Sequence, residues 1–475
     1  MGRRRKKIFL TGGTGTWGRQ TLREFSQRAD RFDVVALVLP TARDRAVISE
    51  FAGMGNLTIV YGDITDRSVV ESCVRGAEYV LHLGAIVSPL ADDQPELTYR
   101  VNVGGTRVLI QAVKAQPDPH AIGVVMVGSV AQTGDRNPPH HWGRVGDPVR
   151  AAQYDQYAQS KIAAERELVD SSLCRWVWLR QTGIFHPGLL EVRDPIMTHT
   201  PLAGTMEWVS VEDSARLIAN ICEDGVPEQF WGAIYNVGGG PAWRLTNWEL
   251  MTRVAGALGV GDVRRWYDRN WFATRNFHGH WYTDSDRLEH LVPFRRDTVD
   301  QALSRAVNAA PRSVRLAGTV PAWLVKRFVM RPLTHRPRGT MSWIDADDDA
   351  HIRAYFGSRD AWQDIGTWAT FQPPTPSHSP RLLDHGYDES KDPAQWSIQD
   401  LRDAAAFRGG QLHATCLPAG GVVTPLRWRC ADGHAFTASP RLVLTGGHWC
   451  PTCVRGPANY GRQARRNQFL AQVEG

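Results

Sequence analysis

Lys7-Ile8-Phe9-Leu10-Thr11-Gly12-Gly13-Thr14-Gly15-Thr16-Trp17-Gly18 is the stretch on which the fold turns, and helix-forming sequence follows it from about Arg19. A short apolar run ends in a turn with glycines at 12, 15 and 18. That spacing suits a tight strand-to-helix turn: backbone can approach a pyrophosphate, the helix N-terminus offers unpaired N–H groups to the anion, and the third glycine lets helix pack close on strand. Gly12, Gly15 and Gly18, with Thr16 and Trp17, form the candidate phosphate cradle. A glycine triplet alone is weak evidence, and its weight comes from opening an alternating pattern.

Residues 34–39, 57–61, 79–83 and 123–127 read as further strands with helix-length segments between them, which argues for a parallel sheet covered on both faces. Residues 206–211 and 233–237 look like returning strands, and 244–258 like a helix. The expectation is an α/β chain. A Rossmann-type doubly wound parallel sheet occupies residues 1–190, with strands returning at 206–240. A smaller substrate lobe follows at 191–315, an irregular helical and linker region at 316–395, and a zinc-binding module at 396–460.

A chain of 475 residues exceeds one hydrophobic core. Its longest apolar runs are strand-sized, well short of the roughly 18 residues that span a bilayer. Between the basic start and the glycines only Ile8, Phe9 and Leu10 are apolar, so no export segment is expected and the cytoplasm is the expected compartment. Position 6 is Lys where a myristoylation signal takes Ser or Thr, which argues against a lipid on Gly2. A net charge of +6 is too modest to imply nucleic acid. Seven cysteines, three of them with His434 in a metal-like arrangement, read as reduced thiols.

Dinucleotide sites commonly end their second strand on a carboxylate that binds the ribose 2′-OH. Here Val38, Leu39 and Pro40 stand there, followed by Arg43 and Arg45, so a 2′-phosphate fits more easily; NADP(H) is favoured, with NAD(H) open. Farther along, Tyr157-Ala158-Gln159-Ser160-Lys161 sets a phenol and an ammonium one helical turn apart on the same face. Ser129 follows the 123–127 strand, at the edge where open α/β sheets place their ligands.

With these motifs in order, residues 7–240 resemble the extended short-chain dehydrogenase/reductase family, also described as NAD-dependent epimerases/dehydratases, which includes nucleotide-sugar epimerases and 3β-hydroxysteroid dehydrogenases. The resemblance rests on residues 11–18, Gly62-Asp63-Ile64, His82-Leu83-Gly84-Ala85, Asn102-Val103-Gly104-Gly105-Thr106, Gly128-Ser129, residues 157–161 and Leu179-Arg180-Gln181-Thr182-Gly183-Ile184. It implies Tyr157 as general acid/base, Lys161 stabilising the phenolate and binding the nicotinamide ribose, Ser129 bonding the reacting oxygen, and Asn102 in the adjoining polar network. It also implies Asp63 on the adenine amino group, Ile64 beside that ring, Leu83, Gly84 and Ala85 along the cofactor, and Ile184 in the cofactor site. Gly128 replaces a common Ser, which should be harmless, and Gln181 replaces the proline usual beside the nicotinamide. The Thr-Asp-Glu triplet of the family's sugar dehydratases is missing, so oxidoreduction or epimerisation is favoured over dehydration.

Trp266, Tyr267, Trp271, Phe272, Phe277, Trp281 and Tyr282 crowd one segment; lobe core is favoured for them over a substrate wall. For residues 321–330, apolar with Lys326, Arg327 and Arg331 at hand, ordinary helix packing is favoured, and peripheral membrane contact is disfavoured. Cys430-x3-His434 and Cys450-x2-Cys453 make two close ligand pairs separated by fifteen residues, a pattern for structural tetrahedral Zn²⁺, resembling treble-clef or zinc-ribbon modules. His448 and Cys416 are the substitutes. The arginines after Cys453 read as a solvated tail, so a cap or subunit contact is favoured over nucleic-acid binding, and a homodimer is an open option.

The functional expectation is an NAD(P)(H)-dependent oxidoreductase that transfers hydride between nicotinamide and a secondary alcohol or ketone of a bulky small-molecule substrate. The alternatives are a nucleotide-sugar epimerase with retained cofactor, and a non-catalytic dinucleotide sensor whose zinc module binds a partner.

Overall fold

The computed structural model describes residues 4–191 and 194–474, so Gly2 lies outside the described residues. Seven parallel strands build the central sheet: β1 Lys6–Thr11, β2 Phe32–Val38, β3 Leu57–Tyr61, β4 Tyr79–His82, β5 Gly123–Ser129, β6 Trp176–Gln181 and β7 Ala233–Val237. Their order is β7-β6-β5-β4-β1-β2-β3, a doubly wound sheet whose direction of winding reverses between β1 and β4. Strand β6 is not among the strands expected from the sequence; only its end, Leu179 to Gln181, enters that reading, as part of a motif.

Alternate residues of the strands divide into two cores. Ile8, Leu10, Val34, Ala36, Val125, Val127, Val177 and Leu179 face one side, where α1 (Thr16–Ser26) packs. Phe9, Val80, Val124, Met126, Trp176 and Trp178 face the other, with α2 (Gly105–Lys114) and α3 (Gln156–Val169). Burial on both faces is what the near-continuous apolar runs require. A fourth helix, α4 (Val211–Ile221), returns to the first side. The expected 206–211 strand is two short ones, Thr205–Glu207 and Val209–Ser210, both outside the main sheet. Residues 244–258 split into a short strand, Arg244–Thr246, and α5 (Asn247–Ala257), because Thr246 serves as N-cap with Glu249 completing a capping box.

In the second lobe, Tyr267, Trp271 and Phe272 are core residues together with Met330, Leu333, Trp343, Tyr355 and Phe356, so this core draws on both sides of position 315. Trp281 and Tyr282 are also buried. Residues 321–330 depart from the expected packed helix: Ala322 and Met330 are buried, while Trp323, Phe328 and Val329 face solvent.

The C-terminal region carries α6 (Ile398–Phe407) and a three-stranded antiparallel sheet of β8 (Gln411–Leu412), β9 (Leu426–Arg429) and β10 (Ala435–Ala438). Its Leu401, Trp428, Phe436, Leu442, Val443, Leu444 and Cys450 join Trp176, Trp178, Ala164 and Leu168 in a single cluster. The region is therefore packed into the same core as the outer face of α3. No helix among the described residues is long and apolar enough to cross a membrane.

Candidate active site

The carboxyl ends of β1 and β4 meet at the winding reversal. Gly12 has φ +78°, and a Cβ there would lie 2.5 Å from the Gly84 nitrogen. A Cβ on Gly18 would lie 2.0 Å from the Gly12 oxygen, so the third glycine is what lets α1 reach the loop. At Gly15 an added Cβ would meet only the Gly12 oxygen, at 3.3 Å, which leaves the outer side of the loop open. Gly15 caps α1 without a side-chain acceptor, so no side chain competes for the first N–H groups, Thr16 and Trp17 among them. An uncapped helix start behind a glycine cradle fits a dinucleotide pyrophosphate.

Thr11 Oγ1 accepts from the Gly84 N–H (3.3 Å) and meets His82 Nδ1 at 2.7 Å, tying β1 to β4. Burial, helped by the charge on Lys161, drives the His82 pKa down to about 3, so His82 is neutral. Asp63 Oδ1 accepts from both the N–H and the hydroxyl of Thr65, each at 2.8 Å, which fixes the carboxylate beyond β3. Ile64 packs against Gly105, where any side chain would collide with it. Leu83, Gly84 and Ala85 run on from β4, and Ile184 begins a two-residue strand after β6. Past β2, Asp44 accepts from Thr14 (2.7 Å) and Thr41 (2.5 Å), while Arg45 stacks over Tyr61 at 3.9 Å. Arg43 has no ion pair among the described residues.

On α3, Tyr157 and Lys161 lie one turn apart, with Asp155 as the N-cap. Lys161 is buried; its Nζ donates to the Val127 carbonyl (2.7 Å) and lies 5.9 Å from the Tyr157 ring centre. Desolvation lowers its pKa to about 8. Desolvation also raises the Tyr157 phenol well above its ordinary value, against an opposing pull from the hydroxyl of Ser129 beside it. Asn102 sits behind this pair: Nδ2 donates to Ser160 Oγ (2.9 Å) and to the Ile86 carbonyl (2.9 Å), and Oδ1 accepts from the Ile86 N–H (2.8 Å). It ties the loop after β4 to α3.

Gln132, Trp178, Glu165 and Arg180, which sequence reasoning did not assign, hold Ser129 from below, and His448, read only as a substitute metal ligand, joins them. The Ser129 N–H donates to Gln132 Oε1 (2.9 Å), which also accepts from Trp178 Nε1 (3.2 Å). Gln132 Nε2 donates to Glu165 (2.6 Å), and Arg180 grips the same carboxylate in two bonds of 2.6 and 3.0 Å. His448 Nε2 reaches that carboxylate at 2.9 Å from the C-terminal region. Burial alone would raise the Glu165 carboxyl, yet Arg180 and His448 draw it down to about 2. The available signal was helical spacing, since Tyr157, Lys161 and Glu165 stand at i, i+4 and i+8. Gly128 belongs to this arrangement: a Cβ there would sit 2.1 Å from Trp178 Nε1 and 2.2 Å from Gln132 Oε1, so the usual Ser has no room. Gln181, paired with Ser129 across β5 and β6, is buried with its Oε1 unpaired among the described residues.

Cys430, His434, Cys450 and Cys453 bring their ligand atoms within 4.8 Å of one another. His434 Nδ1 lies 3.4, 3.7 and 3.4 Å from the sulfurs of Cys430, Cys450 and Cys453, and the Cys430 and Cys453 sulfurs are 3.7 Å apart. Ordinary Zn–S and Zn–N bonds at tetrahedral angles require edges of about 3.5–3.8 Å, so the cluster fits zinc. His448 points away toward Glu165, and Cys416 is exposed outside the cluster, so neither substitute is needed. Asp432 engages Arg462 and Arg466, and Arg455 lies over Tyr99, so these arginines are held by the chain itself.

Residues 8–238 match the model of the NAD dependent epimerase/dehydratase family. Over those residues the chain belongs to that family. Human 3 beta-hydroxysteroid dehydrogenase type 7 is 26% identical over 201 residues, covering 40% of this chain and 53% of that protein. D-erythronate dehydrogenase of Cupriavidus necator is 28% identical over 179 residues, covering 35% and 50%. The chain thus spans about half the length of these curated relatives. Among solved structures, the dTDP-glucose 4,6-dehydratase DesIV of Streptomyces venezuelae with NAD and TYD bound has TM-score 0.50 at 24% identity, covering 64% of this chain and 96% of that one. The NAD⁺ complex of WbmH from Bordetella bronchiseptica has TM-score 0.51 at 22% identity, covering 66% and 100%. These two likenesses concern the fold. The family match ends before α5, so the Cys/His cluster lies outside it.

Proposed function

We propose that the chain is an NAD(P)(H)-dependent oxidoreductase of the extended short-chain type, acting on a secondary alcohol or ketone of a bulky substrate. The observation that carries this reading is the grouping of Ser129, Tyr157 and Lys161 at the carboxyl edge of the sheet, beside the glycine cradle. NAD(P), when bound, would accept or supply hydride at its nicotinamide ring. Gly12, Gly15, Gly18 and the N–H groups of Thr16 and Trp17 would hold its pyrophosphate, Asp63 and Ile64 the adenine, and Leu83 to Ala85 its length. The unpaired Gln181 Oε1 offers an acceptor where the family usually has proline.

In the reducing direction the raised phenol of Tyr157 is protonated and donates to the carbonyl oxygen, which Ser129 Oγ also bonds. The resulting phenolate is held by the Lys161 ammonium one turn away. In the oxidising direction the same groups run in reverse. Gln132 and Glu165 keep the Ser129 backbone in place and do not touch the substrate.

NADP(H) is the preferred partner in this reading, because β2 ends without a carboxylate and Arg43 is free to meet a 2′-phosphate. A dehydrogenase is favoured over a dehydratase because the curated relatives include dehydrogenases of hydroxysteroids and of a sugar acid. Zn²⁺ on Cys430, His434, Cys450 and Cys453 is structural, since four protein ligands close its coordination sphere. A panel of hydroxysteroids, sugar acids and nucleotide sugars, assayed with NADP(H) and NAD(H) by the absorbance of the reduced nicotinamide, tests the reading. Turnover with one class is expected, together with tighter NADP(H) binding that is lost in Arg43→Ala. Cofactor-dependent partner binding without turnover of any class would replace the enzyme with a sensor.

A further inference from the structure

Between Gln301 and Ile344 there is no Asp or Glu, while Arg305, Arg312, Arg315, Lys326, Arg327, Arg331, Arg336 and Arg338 fall in that span. Three of these cations are used inside the fold: Arg305 pairs with Glu212 and Asp297, Lys326 with Asp268, and Arg338 with Asp93 and Asp194. Arg312, Arg315, Arg327, Arg331 and Arg336 are exposed and have no acidic partner among the described residues. The same span holds Leu316, Val320, Trp323, Phe328 and Val329, five of the twelve exposed large apolar side chains among the described residues. Trp323 and Phe328 are 63% and 64% exposed, values that solvated single residues reach but that a cluster in fourteen residues does not need for folding.

The helical run Ala322–Val325, Lys326–Met330 and Arg331–Thr334 presents this surface. It is anchored through Ala322, Met330 and Leu333. Beside it lies a cleft of about 690 Å³ lined by Trp323, Arg327, Arg331, Arg269 and Trp368. The two carboxylates in that cleft, Asp268 and Asp345, are taken up by Lys326 and His335. What remains are guanidinium groups without acidic partners among the described residues, close in sequence to exposed aromatic and aliphatic side chains, with Arg327 lying over the Phe328 ring at 5.7 Å.

We propose that residues 312–336 are a docking surface for an anionic lipid bilayer. Guanidinium groups gather at anionic headgroups, and Trp, Phe and Val enter the boundary between headgroup and acyl chain. A polyanion such as nucleic acid would satisfy the arginines and leave the apolar side chains in water. The proposal is independent of the reaction at Tyr157.

Co-sedimentation of the full chain with vesicles of phosphatidylcholine, with and without phosphatidylglycerol, tests it. Sedimentation is expected only with phosphatidylglycerol and should weaken as salt rises. Arg327→Glu/Arg331→Glu and Trp323→Ser/Phe328→Ser should each lower the apparent affinity at least about tenfold, with thermal unfolding unchanged because all four side chains are exposed. No sedimentation with the anionic vesicles, or sedimentation untouched by both double variants, overturns the proposal. So does equal binding to polyglutamate, which would indicate charge alone, or a concentration-dependent dimer abolished by Trp323→Ser/Phe328→Ser, which would make a second copy the occupant.

Discussion

Lys161 is the side chain through which the proposed reaction should acquire a pH limb. Its ammonium is buried with a single hydrogen bond to the Val127 carbonyl, and desolvation lowers its pKa to about 8. A lysine with a lowered pKa is charged below that value and neutral above it. The phenolate therefore loses its counter-charge as pH rises through about 8, and turnover in the reducing direction should fall along that limb. A pH–rate profile checks this. Lys161→Arg, whose guanidinium stays charged, should move the limb upward if it is active at all. The glycines of the loop, Tyr157 and Lys161 were legible in the sequence because their chemistry depends on spacings of three to six residues. Gly128 was not: it was read as a harmless replacement for Ser, and only the Trp178–Gln132 bond passing over it explains why a side chain is excluded.

At the scale of elements, α3 carries two layers of polar side chains along one side. Tyr157 and Lys161 serve the candidate site, and Glu165, one turn on, receives Gln132, Arg180 and His448. Removing one partner of a buried ion pair strands the other charge, at a cost of about 3–5 kcal/mol. Glu165→Gln should therefore destabilise the protein by that order in denaturant titrations, and weaken it through the Ser129 loop as well as the core. The pH sign follows from the depressed pKa of Glu165. Its stabilisation is complete above the ordinary carboxylate range and is lost as pH falls toward about 2. Arg180→Met/Glu165→Leu should flatten stability over that acid window; an unchanged slope would show that another carboxylate dominates. Helical spacing marks only Glu165; its partners follow no sequence pattern, because His448 meets Glu165 across 283 residues of chain.

The whole molecule is more unified than its motifs suggest. The glycine loop and the Cys/His cluster read as a self-sufficient sheet and a small metal-dependent module, yet Trp428, Leu442 and Cys450 share one core with Trp176, Trp178 and Leu168. Local patterns identify ligands and cannot register such packing. The same limit applies to residues 321–330, whose apolar run reads as core while the fold leaves half of it in solvent. Because a closed Cys₃His site contributes folding free energy, and because its surroundings lie on the back of α3, metal loss should be felt by the sheet. Native protein should carry about one zinc per chain by elemental analysis, and Cys450→Ser/Cys453→Ser little. In calorimetry the metal-free protein should unfold in one transition at lower temperature; a new separate transition with the main one unmoved would show the region to be an independent module.

The central claim, that Tyr157 exchanges the proton in a hydride-transfer reaction on this sheet, is tested most directly by one paired measurement on Tyr157→Phe: the NADP(H) dissociation constant and the turnover of the best substrate from the panel. The phenyl ring keeps the packing and removes only the hydroxyl. The account predicts nearly unchanged cofactor binding with turnover lowered by at least about 10²-fold, the scale of a lost general acid/base. Near-full turnover by Tyr157→Phe would contradict it.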